Sequence, residues 1–229
     1  MTRRETILRL FDENRTFIDA RQRSGTELYR KGSALLAVRT ADGGPLPNDV
    51  TVELRQTSHA FRFGANLFML DEFETPEKSA AYRKLFPKLF NLATLPFYWG
   101  DMEPEPGNVI WGHDEPHKYR RPTPDRCIEY CRAAGIEPKL HCLNYDSFLP
   151  KWLWNTSPRE VKATLSKRFR EIAARYADKI PMVEVTNETF IPDPEMSSYF
   201  LDEEFVECSF REARRCFPHN RLIINEANV

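Results

Sequence analysis

Five short apolar segments, separated by stretches with helical spacing, govern what residues 61–229 can fold into. The strand candidates are 61–67 (FRFGANL), 91–97 (NLATLPF), 138–144 (PKLHCLN), 182–187 (MVEVTN) and 221–226 (RLIINE). Helix candidates lie between them at 76–89, 124–134, 158–176 and 202–216. Two helix starts are marked chemically. Thr123 is placed to cap, with Pro124 at the first helical position, and Ser157 with Glu160 three residues on has the spacing of a capping box. Strands that alternate with helices imply a parallel sheet, since each crossover must return the chain to the sheet's starting edge. A doubly wound open sheet and a (β/α)8 barrel of the TIM type both fit that grammar.

The strand ends separate the two. His141 and Asn144–Asp146 follow one strand, Asn187 and Glu188 a second, and Asn225, Glu226 and Asn228 a third. Barrels collect their working groups from the C-terminal ends of many strands. The chain has no GxGxxG or phosphate-loop glycine pattern, which removes the usual reason for a doubly wound nucleotide fold.

Residues 1–60 read as a separate unit. Residues 3–20 carry an amphipathic helix pattern, and 34–39 (ALLAVR) and 50–57 (VTVELRQT) read as strands around the turn cluster ADGGPLPND. A small helix plus β appendage of about 60 residues is therefore expected before a barrel domain over 61–229. Charge is nearly balanced, 33 basic against 34 acidic residues, which argues against a nucleic-acid or membrane-surface partner. No apolar run approaches the roughly 20 residues of a membrane span. The first residues, MTRRETILRLFDENR, lack the apolar stretch of a signal peptide, which leaves the compartment open. The five cysteines are odd in number and form no CxxC pair, so they read as small core residues rather than zinc ligands or disulfides. No cofactor or metal is expected, and the oligomeric state is not encoded in any feature of the sequence.

Five stretches, in order, resemble glycoside hydrolase family 10, the endo-β-1,4-xylanase family. FRFGANL (61–67) is similar to its opening barrel strand, and FNLATLPFYWGDMEPEPGNVIW (90–111) to a segment with a Trp, Glu-Pro and Gly before an aromatic. LHCLNYDSFLPKW (140–152) matches a Gly-His-x-Leu-x-Trp-His-x-x-x-Pro-x-Trp pattern at His141, Leu143, Pro150 and Trp152. VEVTNE (183–188) is like Trp-Asp-Val-Val-Asn-Glu, and IINEANV (223–229) like Ile-Asn-Asp-Tyr-Asn.

The resemblance implies a barrel with a cleft across its top and retaining hydrolysis of β-1,4-linked polysaccharide, xylan or a relative. Glu188 is then the general acid/base, and Asn187 a hydrogen-bond partner of the sugar 2-hydroxyl. His141, Trp99, Tyr145 and Asp146 are expected to bind substrate, with Asn225, Glu226 and Asn228 in support. The family's nucleophile, a Glu on the seventh strand, is expected beyond residue 229. The chain then holds about five strands of the barrel and by itself lacks that carboxylate. Departures accompany the matches. TLPFYW (94–99) stands where the family has Glu-Asn-Glu-x-Lys-Trp, and Tyr145 and Asp146 where it has Trp and His. The non-leaving side of the cleft is therefore expected to be more apolar. Two other readings stand beside the hydrolase. One is a carbohydrate-binding pseudoenzyme. The other is a metal-dependent sugar isomerase or lyase using His141, Asp146, Glu188 and Glu226 as ligands.

Overall fold

The computed structural model describes residues 2–112, 118–190, 197–202 and 204–226. The chain divides into two compact units, Met1–Ser58 and His59–Val229.

In the first unit the single helix expected over 3–20 is two, α1 (Arg3–Glu13) and α2 (Arg15–Tyr29). Thr2 starts α1 with a reciprocal capping box. Its hydroxyl accepts from Glu5 N at 3.2 Å, and Glu5 Oε2 accepts from Thr2 N at 2.7 Å. Asn14 ends α1, donating to Leu10 O. The strands expected over 34–39 and 50–57 do not form. Among the described residues of this unit only an isolated antiparallel bridge, Arg39 to Pro45, closes the expected turn. Val50, Val52 and Leu54 alternate as a strand would, yet all three are exposed. Two lone strands without a third or a covering helix bury too little to hold together.

The second unit follows the predicted alternation closely. Its elements are β1 (Gly64–Asn66), α3 (Pro76–Leu89), β2 (Leu92–Pro96), α4 (Trp99–Met102), α5 (Pro124–Ala134), β3 (Glu137–His141), α6 (Pro158–Tyr176), β4 (Met182–Asn187), α7 (Phe205–Cys216) and β5 (Arg221–Asn225). The strands are all parallel and lie side by side in chain order. That order is the wall of a (β/α)8 barrel, whereas a doubly wound sheet reverses direction at a switch point. Five strands of such a barrel are described. β1 is shorter than expected because Asn91 side-chain atoms take up the backbone before it. Phe63 N donates to Asn91 Oδ1 and Asn91 Nδ2 to Phe61 O, both at 2.8 Å.

Local chemistry sets the helix limits. Pro76, Pro124 and Pro158 each occupy a first-turn position where no N–H partner is missed. The Ser157–Glu160 capping box forms. Thr123 occupies the cap position of α5, but its buried hydroxyl makes no cap bond. Gly135 ends α5 at φ 67°, the left-handed conformation that glycine adopts without a Cβ clash. No helix among the described residues is long and apolar enough to cross a membrane.

The core lies between strands and helices, with Leu95, Phe97, Leu140, Phe169, Ile172, Tyr176 and Phe217 fully buried. Cys127, Cys131 and Cys142 are buried free thiols, core residues as expected. One charge sits inside this layer. Arg168 of α6 is 3% exposed; its Nε donates to Leu143 O at 3.2 Å and its Nη2 to Phe97 O. Its guanidinium lies 5.5 Å from the Trp99 ring centre, and burial pulls its pKa down to about 10. Phe97 follows β2 and Leu143 follows β3, so one side chain fastens two neighbouring strand exits. After β1, Asp71 makes a two-pronged pair with Arg83 of α3, both contacts at 2.6 Å.

Arg168→Met keeps the apolar stem and removes the donors, which orphans two buried carbonyls. A loss of about 2–3 kcal/mol is expected, read as a lower urea midpoint at unchanged slope. The Arg83 hydrogen bond, joined by attraction to Arg83 and Arg126, outweighs burial and holds Asp71 below its ordinary carboxylate value. A lowered folded pKa stabilises above the unfolded value and is lost as pH falls through the folded one. Asp71→Asn is therefore expected to destabilise at neutral pH, with its gap to wild type closing below the ordinary 3.8. Urea titrations at a series of pH values check this.

Candidate active site

Every site residue predicted from sequence and described here lies at or just after the C-terminal end of a parallel strand, so all belong to one end of the sheet. At the exit of β4, Asn187 pairs in register with Asn225 of β5. Asn225 Nδ2 donates to Asn187 Oδ1 at 2.7 Å. The Asn187 carbonyl is thereby occupied, and its remaining polar group is a donor. Asn187 is buried, while Glu188, one residue on, is exposed. Glu188 N donates to Asn225 O at 2.9 Å. Its φ is 50°, a left-handed conformation that costs a β-carbon-bearing residue energy and recurs at functional positions. The Tyr145 hydroxyl donates to Glu188 Oε2.

β3 supplies His141. One ring nitrogen, Nδ1, is hydrogen-bonded to Glu184 Oε1, and the other, Nε2, lies 3.0 Å from the Tyr98 hydroxyl. Glu184 sits in the middle of β4 with no exposure, and Lys139 Nζ is 2.8 Å from its Oε2. The alternation Val-Glu-Val-Thr reads as a strand with one wet face, yet all six residues of β4 are buried. Lys139 and His141 on the neighbouring strand make that possible, one as a cation and the other as a hydrogen-bond partner, since a buried carboxylate needs both.

The remaining predictions divide. Tyr145 is half-buried and touches Glu188 directly. Asp146 is buried and accepts from Ser147 Oγ at 3.1 Å and from Ser147 N, at the start of the 3-10 turn Asp146–Phe148. Glu226 lies beside the residue after the acid rather than beside Glu188 itself. It accepts from Thr189 N at 2.9 Å, from Thr189 Oγ1 and from Phe190 N. Asn228 lies outside the described residues.

Trp99 corrects an expectation. It is 3% exposed and packed in the core; its Nε1 donates to Glu103 Oε2 at 2.8 Å, and Trp152 meets it edge-on at 6.3 Å. The Glu-Pro turn after it explains this. Glu103 also accepts from Gly107 N at 2.8 Å, which folds the loop back over the indole. A ring enclosed this way offers no face to a sugar. Its neighbour Tyr98 is buried as well, at 8% exposure, and backs the half-buried Tyr145 and Phe148. Tyr98 stacks on Phe148 at 4.0 Å, and the Arg121 guanidinium lies 4.4 Å from its ring centre. Gly100 lets α4 approach this wall, since a Cβ there would stand 3.1 Å from Phe148 O. Leu95 and Phe97, which replace polar residues of the family pattern, are fully buried. Burial pushes the Tyr98 phenol up to about 12, and it pushes Tyr145 up likewise, where the bond to Glu188 adds to it.

The ligand set expected of a metal-dependent isomerase is not brought together. Asp146, Glu188 and Glu226 each engage a different partner. The one cluster of metal-type donors among the described residues is His141, Cys142 and Glu184, within 4.8 Å of one another. The Lys139 ammonium already lies against Glu184, and burial holds the Cys142 thiol well above its ordinary pKa. Both oppose a cation there. A surface hollow of about 470 Å³ between α5 and α6, lined by Ile128, Tyr176 and Lys179, lies away from these strand exits.

The family model for glycosyl hydrolase family 10 matches residues 65–229. Endo-1,4-beta-xylanase B of Cellvibrio japonicus is 30% identical over 136 residues, covering 57% of this chain and 22% of that protein. Anti-sigma-I factor RsgI6 of Acetivibrio thermocellus is 24% identical over 203 residues, covering 86% of this chain and 24% of that protein. Among solved structures, GH10 from Paenibacillus barcinonensis superposes with a TM-score of 0.59 at 19% identity, over 72% of this chain and 51% of that one. That is a likeness of fold, and it agrees with the side-by-side order of β1 to β5. The chain thus spans about a quarter of these two curated relatives and about half of the solved chain. With more than half of its length matched by the family model, the chain belongs to glycosyl hydrolase family 10.

Proposed function

We propose that the strand exits of β2 to β5 carry the acid/base half of a retaining glycoside hydrolase of the endo-β-1,4-xylanase type. The substrate class is a β-1,4-linked polysaccharide, xylan or a relative. The observation that supports this most is the Asn187–Glu188 pair, held at one strand end by Asn225.

A glycosidic oxygen is a poor leaving group until it is protonated. Glu188 is exposed at the end of the sheet where a chain can lie, so its carboxyl delivers that proton. In the second half of a retaining reaction the same carboxylate takes a proton from water. Because Asn187 Oδ1 accepts from Asn225, the Asn187 amide turns a donor outward, suited to a sugar 2-hydroxyl oxygen. Such a bond strengthens as the ring gains oxocarbenium character, so it lowers the barrier rather than merely holding substrate. His141 is held at both nitrogens and lines the same cleft. The half-buried Tyr145 and Phe148, backed by the buried Tyr98, supply apolar and stacking surface where the family pattern supplies polar contacts. We infer a preference for sugars that bind through ring faces on that side.

A second reading has its own support. The Acetivibrio thermocellus relative, matched over 86% of this chain, bears the name of an anti-sigma factor rather than a hydrolase. The same surface would then bind a polysaccharide without cleaving it.

Turnover of aryl β-xylobiosides by the full chain separates the two. Glu188→Gln is expected to lower kcat/KM by about 10²–10⁴ for poor phenol leaving groups and much less for dinitrophenol, which leaves without a proton. Xylan hydrolysis that survives Glu188→Gln would overturn the acid/base assignment. Xylo-oligosaccharide binding by calorimetry with no turnover of either aglycone supports the second reading. Asn187→Ala is expected to lower kcat by about a hundredfold or more, with a far smaller change in KM, because its bond matures in the transition state. Steady-state kinetics on a substrate and its 2-deoxy analogue check this, since loss of the 2-hydroxyl should cost far less in the variant than in the wild type.

A further inference from the structure

We propose that Tyr145 is a positioning residue for Glu188. It holds one carboxyl oxygen so that the other is presented for proton transfer. The inference rests on the acid/base reading of Glu188 and deepens it. The Tyr145 hydroxyl donates to Glu188 Oε2, which leaves Oε1 as the oxygen that carries the proton.

Glu188 has need of such a tether. It is exposed, it stands one residue beyond β4 in a left-handed conformation, and a free glutamate side chain has three rotatable bonds to order. Among the described residues its side chain has no salt-bridge partner, so the phenol is its anchor. The anchor is itself fixed. The Tyr145 ring lies 5.5 Å from Phe148 and 6.3 Å from Tyr98, and those two rings stack at 4.0 Å. The Tyr98 hydroxyl in turn meets His141 Nε2, and His141 Nδ1 meets the buried Glu184. A rigid two-bond side chain backed by that wall orders a three-bond one at little further cost in entropy.

The proton count is simple. In the first step Glu188 Oε1 gives its proton to the departing glycosidic oxygen as the C–O bond breaks and the nucleophilic carboxylate, expected beyond residue 229, bonds to the anomeric carbon. In the second, water attacks that carbon, the carboxylate leaves, and the water's proton returns to the same oxygen of Glu188. The Tyr145 proton stays on its phenol throughout, because a phenol donates to the carbonyl oxygen of an acid and, more strongly, to a carboxylate. Burial and the bond to Glu188 keep that phenol protonated far above neutral pH, which agrees with this role. The role differs from that of a sugar platform. A platform acts on binding, whereas a tether acts on the proton-transfer step.

The test uses the full 229-residue chain labelled with 13C at the tyrosine Cζ, with the Tyr145 signal assigned through Tyr145→Phe. In the wild type the Tyr145 signal is expected to change with pH as the Glu188 carboxyl gains or loses its proton, and in Glu188→Gln that change should be absent. A signal that moves identically in both proteins overturns the tether. On an aryl β-xylobioside with a poor leaving group, Tyr145→Phe is expected to lower kcat about tenfold with KM changed less than about twofold. A raised KM with kcat intact overturns positioning in favour of a platform. If the wild type turns over no substrate, as a chain without the seventh-strand carboxylate would, the 13C signal alone decides whether the tether exists.

Discussion

A guanidinium held by two peptide carbonyls is the contact on which the working end of this sheet depends. Placing Arg168 under 3% exposure removes a charge from water, which by itself costs several kcal/mol. Phe97 O, Leu143 O and the face of Trp99 offset that cost. Those two carbonyls leave β2 and β3 just before Tyr98 and just before Asn144 and Tyr145. The aromatic wall therefore stands on a polar contact beneath it. Tyr98 and Phe148 can stack because the segments that carry them leave their strands at fixed points. The same tie explains the buried Trp99. Its ring is the lid over Arg168, and Glu103 and Trp152 hold that lid shut.

A second buried charge does comparable work one strand over. Glu184 lies where an apolar residue would pack best, yet it fixes Lys139 and one nitrogen of His141. That leaves the other nitrogen of His141 facing Tyr98. The ring is fixed at both ends, between the Glu184 carboxylate and the Tyr98 hydroxyl. Orientation thus passes from Glu184 to the buried Tyr98 behind the aromatic wall through one ring.

Much of this was legible in the sequence, and the failures have physical reasons. The helices over 76–89, 124–134 and 158–176 carry proline at the first turn and end where predicted, because local caps set them. β4 matched residue for residue. The pairs over 34–39 and 50–57 had strand chemistry but no partner layer, and alternation alone does not bury anything. Asn187, Glu188, His141 and Tyr145 come to one end of the sheet, since strand exits in a parallel fold share an end. Trp99 misled because its type suits a sugar platform, while its burial depends on Glu103 four residues on and Trp152 far along the chain. Arg168 and Glu184 were missed for the opposite reason. Each sits in a charge-bearing pattern that reads as solvated, and its partners lie on other elements.

The contacts between the exits of β4 and β5 also set an order of assembly. Glu188 N bonds Asn225 O, Asn187 Oδ1 bonds Asn225 Nδ2, and Thr189 N bonds Glu226, pairs separated by some 37 to 38 positions in the chain. None of them exists until β5 has docked on β4. Long-range pairings of this kind form late, after the local turns and helices are in place. The acid's surroundings therefore become native only once β5 is in place. A chain caught before β5 docks would show most of its helices and an intact aromatic wall, yet have no fixed orientation for Asn187 or for the residues that follow Glu188.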